Sequence, residues 1–335
     1  HYYWPSLLQL GFLVEFITPI VKVSKGKEEI SFFTIPQFED WKQERIADDT
    51  LKRWDVKYFK GLGTSKDSDA RTYFSDLQTH LIQFDYTGKE SDEVIDLAFN
   101  KKKADARKQW LESYDPNTYL DQDVESVTLP DFVHKELILF SYNDCERSIP
   151  SVCDGLKPSQ RKVLWACLEK NVTKEQKVTQ LGGLISEKAS YQHGEQSLFA
   201  TIVKMAQNYC GANNINLLFP SGQFGTRAQG GKDQAAPRYI FTRLSTITRA
   251  LFPKDDDAIL TYTVDEDKYV EPTFYVPIVP MILINGADGI GTGWSTAIPN
   301  HNPHDVIANC RRFIRGETFE EMIPWYRGWK GTVVK

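Results

Sequence analysis

The sequence predicts an α+β protein with more than one domain, and three observations lead to this prediction. The chain has 335 residues, which at roughly 150 residues per domain corresponds to about two domains. Short β-rich runs separated by turns fill the beginning of the chain, and amphipathic helical patterns dominate its middle. The longest apolar run, residues 274–284, is broken by Pro277 and Pro280 and is shorter than the roughly 18 residues of a membrane helix. We therefore expect no membrane partner.

The composition is that of an ordinary globular protein, with 41% hydrophobic, 13% aromatic and 25% charged residues. These values exclude a disordered, collagenous or coiled-coil chain. The five cysteines are an odd number without a CxxC pair, which fits neither a disulfide framework nor a zinc site and indicates a reducing compartment. Because the first residue is His1 rather than Met, we expect a piece of a longer protein.

The first part of the chain predicts a sheet edge followed by helices. Residues 7–35 alternate β-rich runs with an SKGKEE turn, which predicts a hairpin. A strand-like run begins at Trp54 and leads into a glycine turn. Helices are expected over residues 36–52, 67–82 and 96–113, and the last of them carries a lysine run, 101–103, on its solvated face.

Two further helices are predicted in the middle of the chain. One begins at Pro158, a favourable first-turn residue, and runs to about Lys170, and the other covers residues 195–209. Both have an apolar side with helical spacing. Two helices joined by a connector and followed by strand-like segments permit a helix-turn-helix or winged-helix module.

The charge is distributed unevenly. The net charge of the chain is −5, but residues 140–250 contain 14 Lys/Arg and 8 Asp/Glu, a net +6, while the remainder is −11. A basic middle in an acidic protein is a candidate footprint for a polyanion. An unevenly charged surface without a ligand explains the same numbers.

A glycine-rich basic segment, residues 221–245, surrounds Tyr239 with arginine and lysine. A free tyrosine hydroxyl has a pKa of about 10 and is a weak nucleophile at neutral pH. An adjacent cation favours the phenolate, and arginine matches phosphate oxygens in a bidentate manner. The segment is therefore suited to attack on a phosphodiester. A core-facing strand tyrosine beside a surface arginine is the alternative. The chain has no GxxxxGK[ST] motif and no complete dinucleotide fingerprint.

Six motifs closely resemble the cleavage core of eukaryotic DNA topoisomerase II, and they follow one another in the order of that family. They are KYFKGLGTS (57–65), KPSQRKVL (157–164), YQHGEQSL (191–198), GQFGTR (222–227), GGKDQAAPRYIFTRLS (230–245) and NGADGIGTGWST (285–296). The resemblance covers essentially the whole chain. It implies the end of a TOPRIM domain over residues 1–95, a helical linker over 96–130, a winged-helix cleavage domain over 131–272 and the start of an α/β tower domain over 273–335.

The resemblance also implies an activity: a transient double-strand DNA break through a 5′-phosphotyrosyl bond, passage of a second duplex and religation, driven by ATP. In that family Tyr239 matches the nucleophile and Arg238 matches a residue that stabilises the scissile phosphate. Arg147 matches an arginine that reaches the same phosphate region. His193 matches a histidine that binds the phosphate or assists proton transfer. The implied partners are double-stranded DNA, a second copy of the protein and a topoisomerase poison, and the implied location is the nucleus.

The resemblance implies further contacts to DNA. Residues expected to bind DNA are Lys60, Lys157, Arg161, Lys162, Gln223, Arg227, Lys232 and Ile290. Gln223 and Arg227 are expected near the cleaved step, where poisons stack. Ile290 matches a wedge that inserts between base pairs, and its alternative is a buried core isoleucine.

The sequence departs from the family at Gln192, Ser159 and Gln234, which puts local contacts in doubt rather than the activity. The acidic cluster that binds Mg²⁺ in the family and the ATP-binding region are expected upstream of His1, so no metal ligand is predicted in this chain. Two other interpretations remain open, a DNA-binding module that does not cleave and a structural or interaction domain. The wording of the motifs makes a gyrase-type enzyme less favoured.

Overall fold

The computed structural model describes residues 1–59, 65–116, 118, 120, 124, 126–265 and 268–334. They form two compact units, His1–Ser141 and Tyr142–Lys335, each with mixed helix and sheet. The α+β prediction is confirmed. The five cysteines are free thiols, as their odd number indicated. Within the described residues no helix is long and apolar enough to cross a bilayer.

The first unit contains two small sheets with short helices around them. Its helices are α1 (Pro5–Gln9), α2 (Ile35–Ala47), α3 (Asp67–Ser75), α4 (Leu77–His80), α5 (Lys89–Phe99), α6 (Ala104–Glu112) and α7 (Leu129–Phe132). Its strands are β1 (Val14–Phe16), β2 (Val21–Lys25), β3 (Glu28–Phe32), β4 (Asp55–Tyr58), β5 (Leu81–Asp85) and β6 (Ser126–Thr128). The strand orders are β3-β2-β4 and β1-β5-β6. A π-helical turn, Val133–Leu137, leads from α7 into α8 (Ile138–Ser148), which crosses the boundary between the units.

The hairpin predicted for residues 7–35 is confirmed as β2 and β3, which pair in antiparallel fashion. Alternation in β2 buries Val21 and Val23 against Phe38 and Trp41 of helix α2. Helix α2 begins after Thr34, whose hydroxyl accepts a hydrogen bond from the amide of Gln37. The strand predicted from Trp54 is present as β4, which pairs with the other edge of β2.

Two helix predictions in this unit were wrong in extent. The helix expected over residues 67–82 ends at His80, and β5 follows, with Ile82 and Phe84 buried at the period of a strand. The helix expected over 96–113 is divided at Asn100, whose side-chain oxygen caps a 3₁₀ turn by accepting from the amide of Lys102. The lysine run 101–103 is exposed, as predicted.

The second unit consists of helices, a three-stranded antiparallel sheet and two hairpins. Its helices are α9 (Pro158–Glu169), α10 (Val178–Lys188), α11 (Glu195–Ala206), α12 (Thr248–Leu251), α13 (Met281–Ile284) and α14 (Pro303–Ile314). Its strands are β7 (Gln176–Lys177), β8 (Leu218–Ser221), β9 (Phe241–Leu244), β10 (Tyr262–Asp265), β11 (Lys268–Pro272), β12 (Ala287–Ile290) and β13 (Ser295–Ile298). The sheet order is β7-β9-β8, and the hairpins are β10-β11 and β12-β13.

Helices α9 and α11 confirm the two helices predicted here, and α10 between them was not predicted. The three helices and the sheet enclose the largest apolar core, to which Leu164, Leu181, Leu198, Ile202 and Ile240 contribute fully buried side chains. Three helices with a small antiparallel sheet are the parts of a winged-helix domain.

A buried carboxylate ties the start of α9 to a distant part of the second unit. Asp154 accepts hydrogen bonds from Arg161 Nε at 2.8 Å and from Arg161 Nη2 at 3.1 Å. It also accepts from the backbone amides of Leu156 and Tyr275, both at 2.9 Å. The side chain of Asp154 is 0% exposed and that of Arg161 is 6% exposed. Each charge is therefore compensated only by the other charge and by these hydrogen bonds.

We expect Asp154→Ala to lower the free energy of unfolding by about 3–5 kcal/mol, because it leaves the Arg161 guanidinium buried without a counter-charge. Urea unfolding followed by circular dichroism measures this change. Asp105→Ala is the matched control, since Asp105 forms an ion pair of the same 2.8 Å length with Lys108 but is 92% exposed. A midpoint for Asp154→Ala as close to wild type as that of the control contradicts the prediction.

Candidate functional site

Tyr239 lies on the surface, immediately before strand β9. Its side chain is 66% exposed, whereas the next residue, Ile240, is 1% exposed and belongs to the core. The alternation continues along β9, where Thr242 is buried and donates its hydroxyl hydrogen to the carbonyl of Phe219. The inward residues thus fix the tyrosine in an outward position. The alternative of a core-facing tyrosine is wrong.

Arg238 is in direct contact with Tyr239. Its guanidinium carbon lies 4.8 Å from the centroid of the tyrosine ring, a cation–π arrangement. Such a contact on the surface contributes about 0.5–1 kcal/mol. The turn that presents both side chains is closed by a hydrogen bond from the Tyr239 amide to the Ala236 carbonyl at 2.9 Å. A phenol hydroxyl and a fixed cation are therefore offered together to a ligand that approaches from solvent.

The loop of residues 222–235 precedes this turn and is held by an aspartate. Asp233 accepts hydrogen bonds from the amide of Thr226 at 2.8 Å and from its hydroxyl at 2.7 Å. These bonds lower the pKa of Asp233. Gly225 has φ +96°, and a Cβ there would lie 2.6 Å from the Cα of Gly231. The two ends of the loop are therefore packed against each other at glycine backbone.

This loop carries three of the predicted DNA-binding residues, and all three are exposed. Gln223 lies at its start and accepts, through its carbonyl, a hydrogen bond from the Ala235 amide. The Arg227 guanidinium stacks on Trp329 at 4.6 Å and approaches the Cys210 sulfur at 3.3 Å. Within the described residues the Lys232 ammonium has no ion pair or hydrogen bond, so it is available for an anion.

Arg147 and Ile290 lie on elements that touch each other. Arg147 is exposed in the last turn of α8, and among the described residues its guanidinium has no hydrogen bond or ion pair. Ile290 ends strand β12 and is 79% exposed, so the alternative of a core isoleucine is wrong. Gly289, next to Ile290, packs against the backbone of Ser148, next to Arg147.

His193 lies in the exposed loop that leads into α11. Its ring packs edge-on against Tyr191, with the centroids 5.7 Å apart. The neighbouring Gln192, one of the departures from the family, donates a hydrogen bond to Asp265 at 3.3 Å. Hairpin β10-β11 therefore supports the loop that carries His193.

The basic residues at the start of α9 are not equivalent. Lys157 is half-buried at the helix N-cap, and its amide donates to Gln160 Oε1 at 2.9 Å. Arg161 is held in the buried pair with Asp154, and Lys162 donates to Glu271 Oε2 and to the Ala189 carbonyl, both at 2.8 Å. This geometry favours a positioning role for Arg161 and Lys162 over a direct contact with DNA, because their charges are already neutralised inside the protein.

The remaining sequence-based expectations fall as follows. Lys60 lies outside the described residues. Ser159 is half-buried in the first turn of α9, and Gln234 accepts a long hydrogen bond from Gln207 at 3.5 Å. No group of three or more His, Cys, Asp or Glu side chains in the described part of the chain could hold a metal ion.

Sequence reasoning missed the residues that hold the site together. Asp154, Asp233 and Glu271 each fix a cationic or loop element, and Trp329 supplies the stacking surface for Arg227. Asp233 lies inside one of the six motifs, seven residues after Thr226, so this proximity was a usable signal. The pairing of Lys162 with Glu271 spans 109 residues and leaves no local trace in the sequence.

Comparisons with known proteins agree on one family. Residues 147–335 match the DNA gyrase/topoisomerase IV family, in its A-type chain, and residues 16–145 match the C-terminal associated domain of TOPRIM. The chain is 56% identical over 338 residues to DNA topoisomerase 2 of Arabidopsis thaliana, covering 100% of this chain and 23% of that protein. It is 52% identical to human DNA topoisomerase 2-alpha, covering 99% of this chain and 22% of that protein.

A solved structure is also similar along nearly the whole chain. It is a crystal structure described as the Plasmodium falciparum topoisomerase II DNA-binding, cleavage and re-ligation domain. The TM-score is 0.81 at 50% sequence identity, and the match covers 99% of this chain and 45% of that one. The chain spans less than a quarter of the length of the curated relatives named above.

We expect Asp233→Asn to loosen the 222–235 loop, because a neutral amide accepts the two Thr226 hydrogen bonds less strongly than a carboxylate. The exchange rate of the Thr226 amide should rise by about three- to tenfold. In the wild type, the lowered pKa of Asp233 means that the clamp is intact above the ordinary carboxyl pKa of about 3.9 and is lost as the pH falls through the lowered value.

Amide hydrogen exchange followed by NMR or mass spectrometry measures this effect. Asp255→Asn is the matched control, because Asp255 is an exposed aspartate of the same unit whose carboxylate has no hydrogen bond or ion pair to the described part of the chain. An unchanged Thr226 exchange rate in Asp233→Asn, or an equal change in the control, contradicts the role given to Asp233.

Proposed function

This chain belongs to the type II DNA topoisomerase family, and on that premise we propose that the protein containing it breaks both strands of a duplex, passes a second duplex through and reseals the break in an ATP-dependent cycle. The observation that carries the proposal is the exposed Tyr239–Arg238 pair at the head of β9. The cationic loop beside it and the available Arg147 and Lys232 side chains support the same function.

In the proposed reaction the Tyr239 oxygen forms a bond to a DNA phosphorus as the bond from that phosphorus to the 3′ oxygen breaks. The phenol loses its proton, and the departing 3′ oxygen gains one to become a hydroxyl. Arg238 and Arg147 would stabilise charge on the phosphate. His193 would bind the phosphate or take part in proton transfer. The phosphotyrosyl ester keeps the energy of the broken bond, so that the reverse reaction reseals the strand.

We propose that DNA is held by Lys157, Lys232, Gln223 and Arg227 through its backbone, which gives affinity without sequence specificity. Ile290 would enter the stack of bases as a wedge. Lys60 is retained as a proposed contact on the basis of its motif. A poison would stack beside Gln223 and Arg227 at the cleaved step.

The working unit is proposed to be a homodimer that acts in the nucleus. Mg²⁺ ligands and the ATP-binding region are proposed to lie upstream of these residues, since the described residues hold no set of metal ligands. The domain boundaries proposed from the sequence are 1–95, 96–130, 131–272 and 273–335.

We expect Tyr239→Phe to reduce covalent protein–DNA adducts by at least about a thousandfold, because the substitution removes the attacking oxygen. The intact protein is incubated with supercoiled DNA and Mg²⁺ and then denatured with SDS, and the adducts are quantified. Tyr269→Phe is the control, because Tyr269 is 75% exposed in the same unit. DNA binding should be retained in both variants.

Adducts that persist in Tyr239→Phe would show that another residue is the nucleophile. A wild type that binds DNA without any adduct would support the alternative of a DNA-binding module that does not cleave. Equal loss in the Tyr269→Phe control would point to a general defect in folding.

We expect Lys232→Gln to lower the slope of log affinity against log salt concentration by about 0.9, the value for one released counterion. Fluorescence anisotropy with duplex DNA over a range of salt concentrations measures the slope. Lys89→Gln removes the same charge from the first unit, where the side chain is 89% exposed, and should leave the slope unchanged. If the two variants change the slope equally, Lys232 has no specific contact with phosphate.

A further inference from the structure

The hairpin that carries Ile290 is closed at its tip and docked at its base. Strands β12 and β13 pair in antiparallel register, with Gly289 opposite Thr296 and Ile290 opposite Ser295. The amide of Gly291 donates to the carbonyl of Trp294 at 2.9 Å and closes the turn. Ile290 therefore lies on a short arm whose direction depends on what holds the hairpin to the rest of the unit.

Two hydrogen bonds join the tip of the hairpin to helix α8. The Thr292 hydroxyl donates to Asp144 Oδ2 at 3.0 Å, and the Cys145 thiol donates to the Thr292 carbonyl at 3.1 Å. The other carboxylate oxygen of Asp144 accepts from Ser148 within the same helix at 3.4 Å. Asp144 thus binds one partner on the hairpin and one on the helix. Arg147 is on the same helical turn.

Two glycines bring the backbones of the hairpin and the helix together. A Cβ at Gly289 would overlap the carbonyl oxygen of Ser148 and lie 2.9 Å from Pro150 Cδ. A Cβ at Gly291 would lie 3.1 Å from both Cα and Sγ of Cys145. The hairpin is in contact with α8 on both sides of Ile290, and a side chain at Gly289 would separate the two.

From these contacts we infer that Asp144 and Thr292 are positioning residues, which fix the direction of Ile290 relative to Arg147. The inference rests on the proposed function, in which Ile290 enters the base stack and Arg147 contacts the phosphate near the cleaved bond. A wedge can hold two base pairs apart only if its base does not yield, because unstacking is costly and pushes the side chain back. The hydroxyl–carboxylate bond and the close glycine backbone supply that resistance.

The test separates DNA bending from DNA binding. A duplex labelled at both ends reports bending by fluorescence energy transfer in the intact protein without any cleavage, and anisotropy reports affinity. We expect Thr292→Val to lower the ratio of bent to unbent complexes by about tenfold, the value of one hydrogen bond to a charged group. We expect Gly289→Ala to do the same by displacing the hairpin, although its hydrogen-bonding groups are unchanged. Binding through the backbone contacts should remain.

Two matched variants keep the test specific. Thr292→Ser restores the hydroxyl and should restore bending. Thr296→Val removes a hydroxyl from the same hairpin that makes no hydrogen bond to the described part of the chain, and it should bend DNA like the wild type. Thermal unfolding by circular dichroism checks that each variant is folded.

The outcomes distinguish this inference from the proposed function. Wild-type bending together with full bending in Thr292→Val and Gly289→Ala would overturn the positioning role and leave the wedge itself intact. A wild type that binds DNA without bending it would overturn the wedge, and the positioning role with it. Loss of bending in Thr292→Val that Thr292→Ser does not repair would also overturn the assignment to the hydroxyl.

Discussion

The second unit depends on the buried pair of Asp154 and Arg161. A carboxylate that is fully removed from water is stable only when its lone pairs are used, and Asp154 accepts four hydrogen bonds from three parts of the chain. It thereby fixes the loop before α9, the first turns of α9 and the segment around Tyr275. Helix α9 packs against α10, α11 and the sheet, so the orientation set by this carboxylate reaches the elements that carry the candidate site.

The exposed residues of the site are placed by buried or hydrogen-bonded neighbours. Tyr239 faces solvent because Ile240 fills the core, and Ile290 faces solvent because the backbone at Gly289 is pressed against Ser148. The loop with Gln223, Arg227 and Lys232 is fixed by the clamp between Asp233 and Thr226 rather than by apolar burial. Flexible cationic side chains thus extend from a backbone whose position is determined, which reduces the entropy that is lost when a ligand is bound.

The sequence predicts the parts that depend on local pattern. Pro158 and the apolar spacing after it locate α9, and the basic glycine-rich segment singles out Tyr239. Helix α10 was missed because Gly182 and Gly183 weaken its helical pattern. The strand at Ile82 was missed because its stabilising partners, β1 and β6, are distant in sequence. Arg161 and Lys162 have the pattern of surface cations because Asp154 and Glu271, which neutralise them, form no motif with them.

The hydrogen bond between Asp144 and Thr292 joins residues that are 148 positions apart. Contacts of such long range form late, since the entropy of closing the intervening chain must be met first. During synthesis at about 5–20 residues per second, the end of α8 therefore leaves the ribosome about 7–30 s before its partner is made. Through that interval Cys145 and the neighbouring polar groups are without the hairpin, so the nascent chain is open to chaperones and to premature association at this point.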